Sequence, residues 1–526
     1  MTTLDEIYTG GHFYTVDPEQ PWAEALGIAD GVIAVIGSDR DVRALADDST
    51  RITDLGGAMA MPGMHDGHVH LLEQSLRNTQ IQCQLDDPQT MEELGAQMLA
   101  YHQKNPDREW VIAGIYNSQV LTNEMVTKAW LDDLLPGTPV ILYDHTAVHV
   151  CLASSEALRR AEITRETPNP EGGVIVRDAD GEANGWLTEA ATALVRFAVP
   201  PYTEDEIDHA LAYATKLCAE CGITSVQEAG SYRSLLEGLV RLERRGDLQT
   251  FVFAHLVYNF PAWGGWGTTL FDGLLADREQ FRSELVAPDG IKVFLDGTSL
   301  PPQFTHVPLD EGTGEVDTTN LMVNQDTLVA RIREWTDAGL KIKAHASGMG
   351  AVRIGLDVYE RALDGRVPAV PHDIAHSRWV SAADVPRYAR IGVVGEMSPT
   401  IWQDPRFNDT LDGAFRFASL WRSGAHVSLG SDWILPQTPN LFPGIGGMLD
   451  WGDESLSLEQ AIQMATLNGA TSIGKENRFG SLEVGKDATF IVLDRNLFES
   501  TPSEIGETRV TRTVLRGAVV YSANEE

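Results

Sequence analysis

Met61-Pro62-Gly63-Met64-His65-Asp66-Gly67-His68-Val69-His70 is the stretch on which the fold turns. Pro62-Gly63 reads as a turn, and the residues after it as a strand. His68 and His70 are two apart, so on an extended strand both imidazoles point to one side. The β-branched Val69 between them favours that strand. Two neutral ring nitrogens on one face suit a divalent metal. A lone His-x-His is more often a surface or hydrogen-bonded pair. What lifts this pair is that later strands also end in histidine or aspartate.

From Thr203 the chain alternates. Helix Glu204–Cys221 precedes strand Thr224–Glu228, and helix Tyr232–Arg244 precedes strand Phe251–Tyr258. Strand Ile291–Asp296 follows a Trp- and Gly-rich loop. Helices at Gln325–Ala338, Ala351–Leu363, Ala382–Ile391 and Leu411–Ser423 precede strands Lys341–His345, Asp373–His376, Val393–Met397 and His426–Gly430. Counted from the His68/His70 strand, eight strands interleave with helices, which predicts an α/β chain folded as a (β/α)8 barrel. A single helix is expected over 458–473. Short strands and turns before residue 58 and after residue 475 can pair into a small β-sandwich. The expected division is residues 1–58 and 475–526 for that sandwich and 59–450 for the barrel. Residues 80–202 form a lobe inserted after the first barrel strand.

Active-site residues of such barrels sit at the C-terminal ends of the strands. The first strand ends in His68 and His70, the fourth carries Lys292 and Asp296, the fifth ends in His345, the sixth in His376, and the eighth leads to Asp432. Four histidines, a lysine and an aspartate thus share one rim, which points to metal binding. Lys292 is one of eight lysines and lies between Ile291 and Val293. Burial lowers a lysine pKa and frees the amine to react. Addition of CO2 would give a carbamate able to bridge two ions; the plainer alternative is a salt bridge to Asp296 or another carboxylate. Lys343, one layer deeper on the His345 face, is a rival. Asp432 can bind metal and accept a proton from a bound water, and Lys292 and Asp432 are the expected catalytic pair. No G-x-S-x-G elbow or Walker loop is present.

Composition bounds the partners. With 40 basic and 76 acidic residues the net charge is −36, which argues against nucleic acid and anionic membranes. No run of eighteen apolar residues predicts a membrane span, and the acidic N-terminus does not read as a signal peptide, so a cytoplasmic location is expected. Cys218-Ala-Glu-Cys221 closes a helical pattern and has no second pair, so it reads as ordinary helix thiols. The loops beyond the strands carry Tyr258, Phe260, Trp263, Trp266, Trp402 and Trp433. They read equally as loop packing or as an apolar or aromatic substrate pocket, with Trp433, next to Asp432, as its first wall.

These motifs together resemble the amidohydrolase superfamily, and within it the amidohydrolase-3 family, which includes N-substituted formamide deformylases. The carriers are Pro62-Gly63-Met64-His65-Asp66-Gly67-His68-Val69-His70, Lys292 with Asp296-Gly297, His345 with Gly348, Ile374-Ala375-His376, Leu429-Gly430-Ser431-Asp432, and the tail Gly480–Thr489. The resemblance implies a distorted barrel with a sandwich built from both termini. It implies His68 and His70 on one metal and His345 and His376 on a second. It further implies Lys292 as a carbamylated bridge and Asp432 as ligand and general base. His149 and Ala157-Leu158 resemble a family segment bordering the substrate site. The chain departs from the family at Gly348-Met349-Gly350, where Gly-Asp-Arg is usual, at Ala375 in place of Glu, and at Ser154 in place of Asn.

The expected function is therefore a metal-dependent amidohydrolase. It would cleave an amide, formamide or cyclic amide of a small apolar or aromatic substrate with metal-activated hydroxide. Ester or lactone hydrolysis or a non-hydrolytic step on the same site, and a barrel that binds a small molecule without turnover, are the alternatives. The expected cofactors are one or two divalent ions, with Zn2+ the first choice, and CO2 for the lysine. The expected partner is a small-molecule substrate, with His149, Trp402, Trp433 and Trp263 around it; a homodimer is allowed for.

Overall fold

Gly63 joins two different sheets. Met59–Pro62 belongs to a sheet made by the two ends of the chain, and Met64–Val69 is the first barrel strand. A Cβ on Gly63 would lie 2.2 Å from the Thr224 hydroxyl oxygen. Only glycine lets the backbone pass this close. The computed structural model describes residues 3–260, 267–300, 304–403 and 413–523.

The barrel strands are β1 (Met64–Val69), β2 (Ile223–Ser231), β3 (Phe251–Val257), β4 (Val286–Phe294), β5 (Lys341–His345), β6 (Asp373–Ala375), β7 (Val394–Met397) and β8 (His426–Leu429). They pair in parallel in chain order. All eight strands expected from the sequence are present, shifted by up to five residues at their ends. Beyond β8 the seam is tight. The Asp432 N–H donates to the His68 carbonyl at 2.8 Å, and Val69 bridges to Trp433. A Cβ on Gly67 would meet the Leu429 carbonyl oxygen at 2.6 Å. Asp66 ties the seam with one carboxylate oxygen, which accepts the N–H of His68 at 3.0 Å and of Ser431 at 2.8 Å.

The helix expected over 458–473 is two, Leu458–Ala465 and Leu467–Ser472, broken at Thr466. The break brings Gly469 against His65, where a Cβ would lie 2.5 Å from the imidazole. The helix expected over Leu411–Ser423 is shorter, Phe417–Arg422; residues 413–416 are not helical, and 411–412 lie outside the described residues. Between β1 and β2 lies a six-stranded sheet whose strands run from Cys83 to Glu189, with apolar clusters on both faces. Residues 6–62 and 490–522 supply a four-stranded and a six-stranded sheet, and one apolar cluster including Tyr8, Phe13, Leu26, Phe490 and Val514 draws on both. Among the described residues no helix is long and apolar enough to cross a membrane.

Candidate metal centre

The strands deliver their polar ends to one pocket. His68, His70, His149, Lys292, His345, His376 and Asp432 line it, with Thr146, Thr298 and Ser347 as polar wall and Phe294, Leu300, Ile434 and Leu435 as apolar wall. His68, His70, Lys292, His345, His376 and Asp432 are all buried, so these groups have been withdrawn from water together.

His68, His345 and His376 are each held by a ring hydrogen bond. His68 Nδ1 lies 2.8 Å from Glu396 Oε2. A carboxylate accepts, so this nitrogen carries the hydrogen and Nε2 presents a lone pair. Lys292 Nζ stands 3.1 Å from that Nε2. His345 Nε2 lies 3.2 Å from the Gly297 carbonyl and donates to it, which turns the Nδ1 lone pair towards His376 Nε2 at 2.9 Å. Burial holds the pKa of all four histidines well below the usual value, which keeps them in the neutral form a metal needs.

Asp432 lies among them. Its Oδ1 is 3.9 Å from His68 Nε2 and 3.7 Å from His70 Nε2, and its Oδ2 is 3.7 Å from His376 Nδ1. His376 Nδ1 is buried without a hydrogen-bond partner. Lone pairs thus face one another here, an arrangement a divalent cation satisfies and water-free packing does not. The ligand atoms of His68, His70 and Asp432 all lie within 4.8 Å of one another. The residues fit the metal that the sequence motifs imply. His376 (φ 71°) and Asp432 (φ 50°) both adopt the left-handed backbone region. Non-glycine residues hold that conformation at a cost of about 1–3 kcal/mol, and such residues cluster at functional sites.

The two lysines separate cleanly. Lys343 donates to Asp373 at 2.8 Å and to the Gly67 carbonyl at 3.0 Å, and Lys341 reaches the same carboxylate at 3.2 Å. Lys343 is therefore committed beneath the site. The salt bridge considered between Lys292 and Asp296 is not formed: Asp296 instead accepts the backbone N–H groups of Val307, Ser347 and Gly348. Burial, reinforced by the Lys343 charge, lowers the Lys292 pKa to about 7. An amine near that value is available as a nucleophile.

Other expected residues fall on both sides. His149 is on the pocket wall, its Nδ1 2.7 Å from Glu189 Oε2 and its ring 5.4 Å from that of His345. Burial opposes its charged form, but the Glu189 carboxylate, with Asp432 and Asp296 beyond, carries its pKa above the usual value. Trp433 does not form the expected substrate wall. It is buried at 0% exposure, and its Nε1 donates to the Gln437 carbonyl at 3.3 Å. The bridge to Val69 turns it into the core, and Ile434 and Leu435 take its place at the pocket. Trp263 and Trp266 lie outside the described residues, as does the side chain of Trp402. Tyr258 packs edge-on against Phe271 and Trp335, and Phe260 stacks on Phe294. His65 faces away from the pocket, with Ser225 Oγ 2.9 Å from its Nδ1.

Sequence reading passed over two carboxylates. Glu396 on β7 binds His68, and burial raises its pKa to about 7. Glu228 on β2 accepts the Leu71 and Gly230 N–H groups, and burial pushes it to about 8. The signal for both was available: a lone carboxylate inside an apolar barrel strand needs a partner.

The model of the amidohydrolase family matches residues 51–521. The Bacillus subtilis (strain 168) protein YtcJ is 28% identical over 547 residues, covering 98% of this chain and 99% of its own. N-substituted formamide deformylase of Arthrobacter pascens is 25% identical over 551 residues, covering 99% of each. A crystal structure of an uncharacterized metal-dependent hydrolase from Pyrococcus horikoshii OT3 superposes with a TM-score of 0.72 at 20% identity, covering 95% of this chain and 99% of that one.

Proposed function

The chain belongs to the amidohydrolase family, and from that premise we propose that it hydrolyses a carbon–nitrogen bond in a small amide, formamide or cyclic amide. The observation that supports this reading is the convergence of His68, His70, His345, His376 and Asp432, all buried, on one pocket, with the Lys292 amine beside them. His68, His70 and Asp432 would hold one divalent ion, and His345 and His376 a second. Lys292, as the carbamate it forms with CO2, would lie between them. A metal bound there, with zinc first among candidates, lowers the pKa of a water and polarises the scissile carbonyl.

The chain's own residues do the rest. Asp432 accepts the proton of the attacking water and returns it to the departing nitrogen. Burial raises its pKa, which makes it a stronger base than an exposed carboxylate. His149, oriented through Nδ1 by Glu189, offers Nε2 to the substrate oxygen. Phe294, Leu300, Ile434 and Leu435 exclude bulk water from the reacting atoms. The formamide deformylase relative supports placing N-substituted formamides in the first substrate panel.

The test is zinc-loaded protein assayed against formamides, linear amides and cyclic amides, with esters and lactones beside them. Turnover of the nitrogen compounds is expected, and Asp432→Asn should lose it while metal stays bound. Turnover of esters or lactones alone would replace this reading with ester hydrolysis. Unchanged activity in the variant would remove Asp432 from the mechanism.

A further inference from the structure

Arg378 is 4% exposed and forms no ion pair among the described residues. Buried arginines are normally paired, because an isolated charge is costly to hold out of water. Half-buried Arg196 pairs with Glu73 at 2.5 Å, and buried Arg77, also without an ion pair among the described residues, fills its donors instead with Gln74 Oε1 and the Ile434 carbonyl. Arg378 makes one described side-chain hydrogen bond, from Nη1 to Ser299 Oγ at 3.1 Å. Its Nε has no partner among the described residues. Nε and Nη2 form one edge of the guanidinium fork, the edge that matches a carboxylate with two parallel hydrogen bonds.

The position of this edge is informative. Arg378 follows the candidate ligand His376 by two residues. Ser299 lies between Thr298 and Leu300, both pocket walls. Ser347, also a wall, receives the Ser299 N–H at 3.1 Å and lies 2.8 Å from Ser299 through its hydroxyl. The guanidinium is thus one side chain behind the pocket wall, tied through Ser299 to Ser347. The carboxylates nearby are already committed: Asp296 to three backbone N–H groups, Glu396 to His68 and the His376 N–H, and Asp432 among the histidines.

We propose that Arg378 binds a carboxylate of the substrate, so that the pocket takes amides carrying an anionic group rather than wholly apolar ones. The word substrate rests on the hydrolase reading above; the anion site does not. The competing account is that Arg378 only balances the surrounding carboxylates at longer range.

The experiment reads binding, not turnover. Probes are formamido-alkanoates and formamidobenzoates, each against its carboxamide isostere. Calorimetry and thermal shift are run on zinc-loaded and chelator-stripped full-length protein, because a carboxylate can also bind a metal directly. In wild type the carboxylates are expected to bind roughly tenfold or more tightly than the carboxamides in both forms. In Arg378→Gln that ratio should collapse towards one, and Arg378→Lys should keep part of it. Arg378→Gln should melt no lower than wild type, since it removes an unpaired buried charge. No carboxylate preference in wild type overturns the proposal. So does a preference that survives in Arg378→Gln, or a large drop in its melting temperature without ligand. If the preference holds and no probe is hydrolysed, the hydrolase reading fails and the anion site stands.

Discussion

His68 Nδ1 and Glu396 Oε2 lie 2.8 Å apart, with side-chain exposures of 1% and 0%. The pair spans the barrel seam region from β1 to β7 and fixes which nitrogen of His68 faces the pocket. The same Glu396 oxygen accepts the His376 backbone N–H at 3.1 Å, so one carboxylate aligns two candidate ligands. Partners of this kind hold a ligating imidazole in one tautomer and raise its basicity. Glu396→Gln keeps an acceptor but removes the charge. We expect metal affinity, measured by competition with a chelator, to fall by roughly 10- to 100-fold. Wild-type affinity in the variant would remove Glu396 from this role.

Lys292 and Lys343 should behave oppositely on removal. Lys292 faces the pocket and has no carboxylate in ion-pair contact among the described residues, so Lys292→Met should abolish turnover and second-ion binding with little change in melting temperature. Lys343 forms a fully buried pair with Asp373. Breaking such a pair costs about 3–5 kcal/mol, softened here because Lys341 shares the carboxylate. Lys343→Met should therefore show its main effect in denaturation. Labelled bicarbonate should give a carbamate carbon signal in wild type that is lost in Lys292→Met. A signal retained in that variant would assign the modification elsewhere.

Acid should destabilise the fold through His372. Its Nδ1 accepts the Ile342 N–H at 3.2 Å and its Nε2 donates to Thr336 at 2.9 Å, so the folded state holds a neutral ring. Burial lowers its pKa to about 3 from an ordinary 6.5. Between those values the unfolded chain binds a proton that the folded chain does not, so stability rises with pH across this window. The loss on acidification should approach about 1.4 kcal/mol per pH unit from this group. His372→Gln should flatten the slope of melting temperature against pH below 6.5. An unaltered slope would place the acid sensitivity in other groups.

Trp433 and Ile434 are neighbours with different duties. Trp433 fills core, and truncation to alanine should cost about 3–5 kcal/mol. Ile434 lines the pocket, so Ile434→Ala should act mainly on KM. If Trp433→Phe, which keeps most of the volume, altered substrate preference without lowering stability, the core assignment would be wrong.

How much of this was legible follows from residue spacing. The two-residue period of a strand fixed His68 and His70 on one face, and the strand–helix alternation placed His345, His376, Lys292 and Asp432 at one rim. The structure brings those six together. Period and alternation are local properties, and local properties are written in the chain. The departures are all questions of which neighbour lies across space. Whether Lys292 or Lys343 was free depended on Asp373 lying beside Lys343 and on backbone N–H groups claiming Asp296. Whether Trp433 walled the pocket depended on one step of parity after Asp432 and on the bridge to Val69 across the seam. Glu396 became a partner only because barrel closure carried β7 to within hydrogen-bonding distance of β1, 328 residues away in sequence. By itself the sequence determined the barrel and its candidate ligand set. The tertiary structure decided which charges were already paired and which nitrogens faced the pocket, because burial and hydrogen-bond partners are set by distance in space and not by distance along the chain.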